Sequence, residues 1–265
     1  MAEAAEPDYS QLDPNLIDPA TGKPRPHVIH PPLTTLDELR DAHKKAKAEY
    51  DTFEWAKMVR EFMKQREWNL DKTVAFGTDS FCRNRNAMYQ LVMWQDIVAQ
   101  LPNSKDVEFY AEEISYKELH NKFLTELEVI PIRAVQRDII YGGPGVWKID
   151  HQTFVMMFRC VPHRRVLLRH DVELYFGDPI WDDEIEYRWR DPEEEERKRD
   201  LLKDPEATKV QRIIFMNEDA VAMDKFKKER IETDLTQKDT FKFGPFPSAF
   251  GGGNPLFAYH KAKPS

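Results

Sequence analysis

The residues with the most chemical potential in this chain follow two short apolar runs. After Thr73-Val74-Ala75-Phe76 comes Gly77-Thr78-Asp79-Ser80-Phe81-Cys82-Arg83-Asn84-Arg85. After the run 153–158 comes Arg159-Cys160-Val161-Pro162-His163-Arg164-Arg165. If both runs are strands, Gly77 permits a tight turn and Ser80 and Asn84 present donors at a helix start. The arginines can then grip an anion by bidentate contacts. Gly77, Ser80, Arg83, Arg85, His163 and Arg164 therefore form a candidate ligand-binding set, with a small anionic molecule or a nucleotide as its occupant. The plainer reading of the same residues is a helix cap, Ser80 or Asn84, beside solvated arginines.

Familiar catalytic signatures are missing. The loop at 77–85 has neither the glycine spacing of a dinucleotide fingerprint nor a Walker lysine. There is no Gly-x-Ser-x-Gly elbow and no Cys-x-x-Cys pair. His163 and His170 stand two helical turns apart without a carboxylate at metal-ligand spacing, so no metal site is expected. Cys82 is a candidate thiolate if a helix dipole and the arginines lower its pKa, and otherwise a small packing residue. No catalytic residue and no cofactor follow from these patterns.

The elements that must position the set are legible from periodicity. Seven of the 18 prolines fall in residues 1–33, which therefore read as a disordered segment or one extended on the domain. Residues 34–69 read as helices: Thr35 and Glu38 form a capping box, and Asp51 offers a second start before Trp55, Met58, Val59, Phe62 and Met63. The α/β domain spans 70–232. Val74–Phe76, Val107–Tyr110, Thr153–Phe158 and Arg212–Phe215 are expected as neighbouring parallel strands, with crossover helices at 86–100 and 116–128. A capping box at Ser115 and Glu118 opens the second of these helices. Val129-Ile130-Pro131-Ile132 reads as a strand at or near an edge, because Pro131 cannot donate to a ladder. Val166 to Tyr175 suggests a helix, 210–216 the last strand, and 233–265 an irregular Pro/Gly-rich tail. The fold class is thus a three-layer Rossmann-like α/β architecture, a mainly parallel sheet with helices on both faces. In such a sheet, ligands bind beyond the carboxyl ends of the strands.

Composition narrows the partners. With 39 Lys and Arg against 47 Asp and Glu the net charge is −8, so broad nucleic-acid binding is not expected. An acidic insertion spans 181–209. Within it, Asp182 to Asp200 carries ten acidic residues against five basic ones, a solvated face or a docking surface for a basic protein partner. No window approaches a membrane span, and the amino-terminal residues lack an apolar or arginine-rich targeting pattern. Two cysteines suit a reducing compartment, so the cytoplasm or nucleus is expected.

Phe76-Gly77-Thr78-Asp79-Ser80-Phe81 with Asn86-Ala87-Met88-Tyr89-Gln90-Leu91 resembles the opening of the sensitivity-to-red-light-reduced (SRR-like) domain. The run from Phe158 to His163 resembles that family's strand ending in proline-histidine. The likeness covers roughly residues 70–225. It departs at Ala111-Glu112, where the family has aspartate-proline, and at Met216-Asn217-Glu218-Asp219, where it has glycine-asparagine-serine-phenylalanine. The acidic insertion is extra. The resemblance implies a regulatory or ligand-binding protein without demonstrated turnover, and on that basis the chain is expected to be non-catalytic. The alternative is an enzyme acting on a nucleotide-like or other anionic substrate in the crevice.

Overall fold

The computed structural model describes residues 16–25, 27–134, 144–157, 170–177, 225–226, 229–235 and 257–261. Its first helix, α1 (Leu36–Tyr50), starts as its sequence dictates. The Thr35 hydroxyl accepts the Glu38 amide, and the Glu38 carboxylate accepts the amides of Thr34 and Thr35. The second, α2 (Glu54–Lys64), begins after Phe53 without a side-chain cap. Asp51, expected to start it, instead ends α1 and pairs with Arg60. Asn84 caps α3 (Arg85–Ala99) by accepting the Asn86 amide at 2.9 Å.

The capping box expected at Ser115 and Glu118 does not form. The fourth helix, α4 (Glu118–Glu126), is entered through Lys117, whose amide donates to His120 Nδ1 at 3.1 Å. The Ser115 amide is taken by the Glu113 carboxylate, and Glu118 turns outward to Lys122.

Seven strands form one mixed, mostly parallel sheet: β1 (Lys72–Phe76), β2 (Glu108–Glu113), β3 (Val129–Arg133), β4 (Thr153–Met157), β5 (Leu174–Gly177), β6 (Arg230–Asp234) and β7 (Phe257–Lys261). Their order is β3-β2-β1-β4-β5-β7-β6. Strands β1 to β5 are parallel, and β7 runs antiparallel to both β5 and β6. Pro131 sits in the edge strand β3, where a missing amide costs no ladder bond.

Alternation along the strands divides the core. Ala75, Ala111, Phe154, Met156, Leu174 and Phe176 face α1 to α4. Val74, Phe76, Tyr110, Val155, Met157, Tyr175 and Tyr259 face the other way, against Val146, Ile149, Val172 and Phe226. The Trp94 indole, wholly buried on α3, donates to Thr73 on β1 at 2.6 Å and satisfies both groups.

Three expectations change. Leu174 and Tyr175 belong to strand β5 rather than to a helix. Both faces of β5 are buried, so its run is uniformly apolar and lacks the polar alternation that marks a strand in sequence. Phe257–Lys261, expected within an irregular tail, is β7, held by pairing on both sides; its five residues are too short a run to announce themselves beside Gly251–Gly253 and Pro255. The sheet therefore draws in residues beyond 232. The strand expected at 212–215, the acidic insertion, His163 and Arg164 lie outside the described residues.

Candidate functional site

The chain lays β1, β2 and β3 outward in one direction, then returns to the other flank of β1 to lay β4. That reversal is a topological switch point, and in open α/β sheets the crevice that takes a ligand lies at such a point, beyond the carboxyl ends of the strands. Phe76 is aligned with Glu112 on one side and Met157 on the other, so these three residues mark its floor.

Gly77 follows at φ 67°, in the left-handed region that glycine enters without cost. It turns the chain out of the sheet without placing a side chain over the floor. Asp79, at φ 63°, bends it a second time. The Glu112 side chain, 2% exposed, accepts the amide of Gly145. A Cβ on Gly145 would collide with that carboxylate and approach Phe76 Cε1 to 3.0 Å. Glu113 faces the other way, and its two oxygens accept the Asp79 and Ser115 amides at 3.0 Å each. Three carboxylates, Asp79, Glu112 and Glu113, thus stand around the ends of β1 and β2. This quarter of the crevice repels phosphate and suits a hydroxyl-rich or cationic ligand.

The loop after β1 is fixed by buried polar pairs. Thr78 Oγ1 and Tyr116 Oη are 2.5 Å apart, and Ser80 Oγ lies 3.0 Å from His120 Nε2. Asn84 donates to Asp79 at 2.6 Å. Residues 27–33 run alongside: the amides of Ile29 and Leu33 donate to the carbonyls of Arg83 and Cys82, and the Arg85 amide donates to that of His27.

Ser80 and His120 have the spacing of a nucleophile and its base, but the wrong tautomer. His120 Nδ1 accepts an amide hydrogen, so the neutral ring carries its proton on Nε2 and donates it to Ser80. Burial, and then the Lys117 charge, hold the His120 pKa below its ordinary value and keep the ring neutral. Burial likewise pushes the Cys82 thiol up, with Arg83 and Lys117 opposing, so Cys82 is a packing residue rather than a thiolate. Among the described residues no group of three His, Cys, Asp or Glu could hold a metal.

The structure divides the residues singled out in sequence. Gly77 belongs to the crevice. Ser80 and Arg83 line a separate cavity of about 640 Å³ between residues 31–34 and the start of α4. Arg85 faces a groove between α1 and α3. Glu112, Glu113, Tyr116, His120 and Gly145 were not singled out. The acidic pair closing β2 was the available signal, since a carboxylate at that place reads a ribose in doubly wound sheets.

No family model matches the chain. No curated protein matches it either. Solved structures similar to it include a proposed S-adenosyl-L-methionine-dependent methyltransferase from Methanococcus maripaludis, at 10% identity and TM-score 0.37 over 87% of this chain and 95% of that one. Another is the human methyltransferase 10 domain containing protein, at 11% identity and TM-score 0.30 over 86% and 83%. The resemblance to the SRR-like domain is therefore withdrawn: no family model supports it, and the structures found bear another name. The non-catalytic, regulatory expectation leaned on that resemblance and is withdrawn with it. The class rests on the strand order itself: a mixed, mostly parallel Rossmann-like α/β sheet in which the antiparallel β7 lies between β5 and β6. No helix among the described residues is long and apolar enough to cross a membrane.

Proposed function

We propose that the chain is an enzyme that binds a nucleoside-bearing cofactor in the crevice between β1 and β4. The observation that carries this reading is the switch point with Glu112 and Glu113 closing the neighbouring strand. A carboxylate there accepts a ribose hydroxyl. Glu112 is best placed for this, because it lies on the Phe76 face of the floor beside the 144–146 turn. Gly77 leaves room above the floor, and Glu113 holds the loop at Asp79 in position.

The acidic surroundings narrow the nucleotide-like candidates to nucleosides that do not carry phosphates at this end. S-adenosyl-L-methionine, a nucleoside with a cationic sulfonium, satisfies both demands. When bound, it supplies an activated methyl group; the chain's own residues bind the ribose, orient the nucleoside and exclude water through the buried floor at Phe76 and Met157.

Calorimetric titration with S-adenosyl-L-homocysteine, adenosine and ATP tests the reading. S-adenosyl-L-homocysteine and adenosine should bind, and ATP should bind least. Glu112→Gln should weaken the nucleoside by about tenfold to a hundredfold, since a hydrogen bond to a charged group is worth about 1.5–3 kcal/mol. Preference for ATP, or indifference to Glu112→Gln, refutes it.

A further inference from the structure

We propose that the cavity between the 31–34 segment and the amino end of α4 is a second binding site, for a small organic anion with an apolar body. It does not rest on the cofactor reading above, and its residues lie outside the crevice floor.

The volume, about 640 Å³, is that of a small-molecule site. Its body is apolar: Pro31, Leu33, Cys82 and Leu119 line it. Its polar lining includes two cations and two serine hydroxyls. Arg83 and Lys117 both line the cavity and are exposed, and neither has an ion-pair partner among the described residues. Both act electrostatically on the Cys82 thiol in the cavity wall, with the Glu38 carboxylate opposing them there.

Two hydroxyls point to the same ligand chemistry. Ser80 is 8% exposed, and its oxygen already accepts the proton of His120 Nε2. Its own hydrogen has no acceptor among the described residues, so it is left to donate. Ser115 Oγ is buried and has no hydrogen-bond partner among the described residues. The reason is local: the capping role that would have used it passed to Lys117 and His120. A buried hydroxyl without a partner costs about 1–3 kcal/mol, and a ligand acceptor recovers it. Two donors and two cations beside an apolar chamber select an anionic head on an apolar tail. Carboxylate and phosphate heads share this chemistry.

The 31–34 segment forms one wall and is anchored by the Leu33 amide on the Cys82 carbonyl and by the α1 capping box. The chamber is therefore built from the loop after β1, the loop after β2 and the approach to α1, three segments fixed by their own hydrogen bonds.

The test is calorimetric titration of the full chain with octanoate, 4-phenylbutyrate and phenyl phosphate, with 1-octanol as the uncharged control. At least one anion should bind more tightly than 1-octanol by tenfold or more, and the better head distinguishes carboxylate from phosphate. The double variant Arg83→Gln/Lys117→Gln, both positions exposed and outside the packed core, should lose tenfold or more with an unchanged melting temperature. Ser80→Ala, which keeps the cations, should weaken the same anion by a smaller factor. In a Cys160→Ser background, the bound anion should slow alkylation of Cys82. No binding by any of the three anions, equal affinity for 1-octanol, or unchanged affinity in the double variant overturns the proposal.

Discussion

Replacing Tyr116 by phenylalanine removes one oxygen from the joint between the loops that follow β1 and β2. In the native protein that oxygen lies 2.5 Å from Thr78 Oγ1, with Thr78 1% and Tyr116 5% exposed. Burial pushes the phenol pKa far up, so it remains protonated throughout the working pH range. The ring contacts survive the substitution: Phe81 and His120 stack on it with centroids 5.7 Å away. What is lost is the partner of a buried threonine hydroxyl, a cost of about 1–3 kcal/mol. For a chain of this size, about 2–4 °C accompany each kcal/mol, so the melting temperature should fall by roughly 2–12 °C. Thr78→Val/Tyr116→Phe removes both partners and leaves no orphan, and should recover most of the loss. Denaturant unfolding followed by circular dichroism gives the four corners of the cycle. A Tyr116→Phe protein as stable as the wild type, or a double variant as weak as the sum of the singles, refutes the reasoning.

Other outcomes follow from the same geometry. Glu113→Ala frees the amides of Asp79 and Ser115, so both should lose hydrogen-exchange protection while those of β1 keep theirs. Gly145→Ala drives a methyl group into Glu112 and Phe76 and should cost about 1–3 kcal/mol in chemical denaturation, with nucleoside affinity falling alongside. Burial holds His43, His120 and His260 below the ordinary histidine value of 6.5. The unfolded chain therefore binds the extra protons, and the stability these rings contribute is present above 6.5 and lost as pH falls through their lowered values. Unfolding midpoints measured from about pH 7.5 down to about pH 5 should drop, and His120→Asn should flatten that slope. Arg66 and Glu173, 2.5 Å apart with side chains 12% and 9% exposed, form a nearly buried pair; Arg66→Met strands the carboxylate and should cost about 3–5 kcal/mol in the same assay.

Much of the architecture follows from local chemistry that the sequence carries openly. The helices α1 and α3 begin where Thr35 and Asn84 can satisfy orphan amides, and β1, β2 and β4 are short apolar runs of strand length. Pro131 placed β3 at an edge for a reason that needs no neighbours. Elements defined only by what they pack against were not legible. β5 is buried on both faces and carries no polar alternation, and β7 exists because β5 and β6 flank it. Ser115 loses its cap to His120 because Glu113 captures its amide first, a competition that only three-dimensional proximity decides. The candidate site divides in the same way. Residue types at 77–85 suggested one shared ligand site, but tertiary structure sent Ser80 and Arg83 to one cavity, Arg85 to another groove and Gly77 to the carboxyl end of β1. Which carboxylate floors that crevice depends on the register of β2 against β1, which aligns Glu112 with Phe76, and register is a property of paired strands rather than of either strand alone.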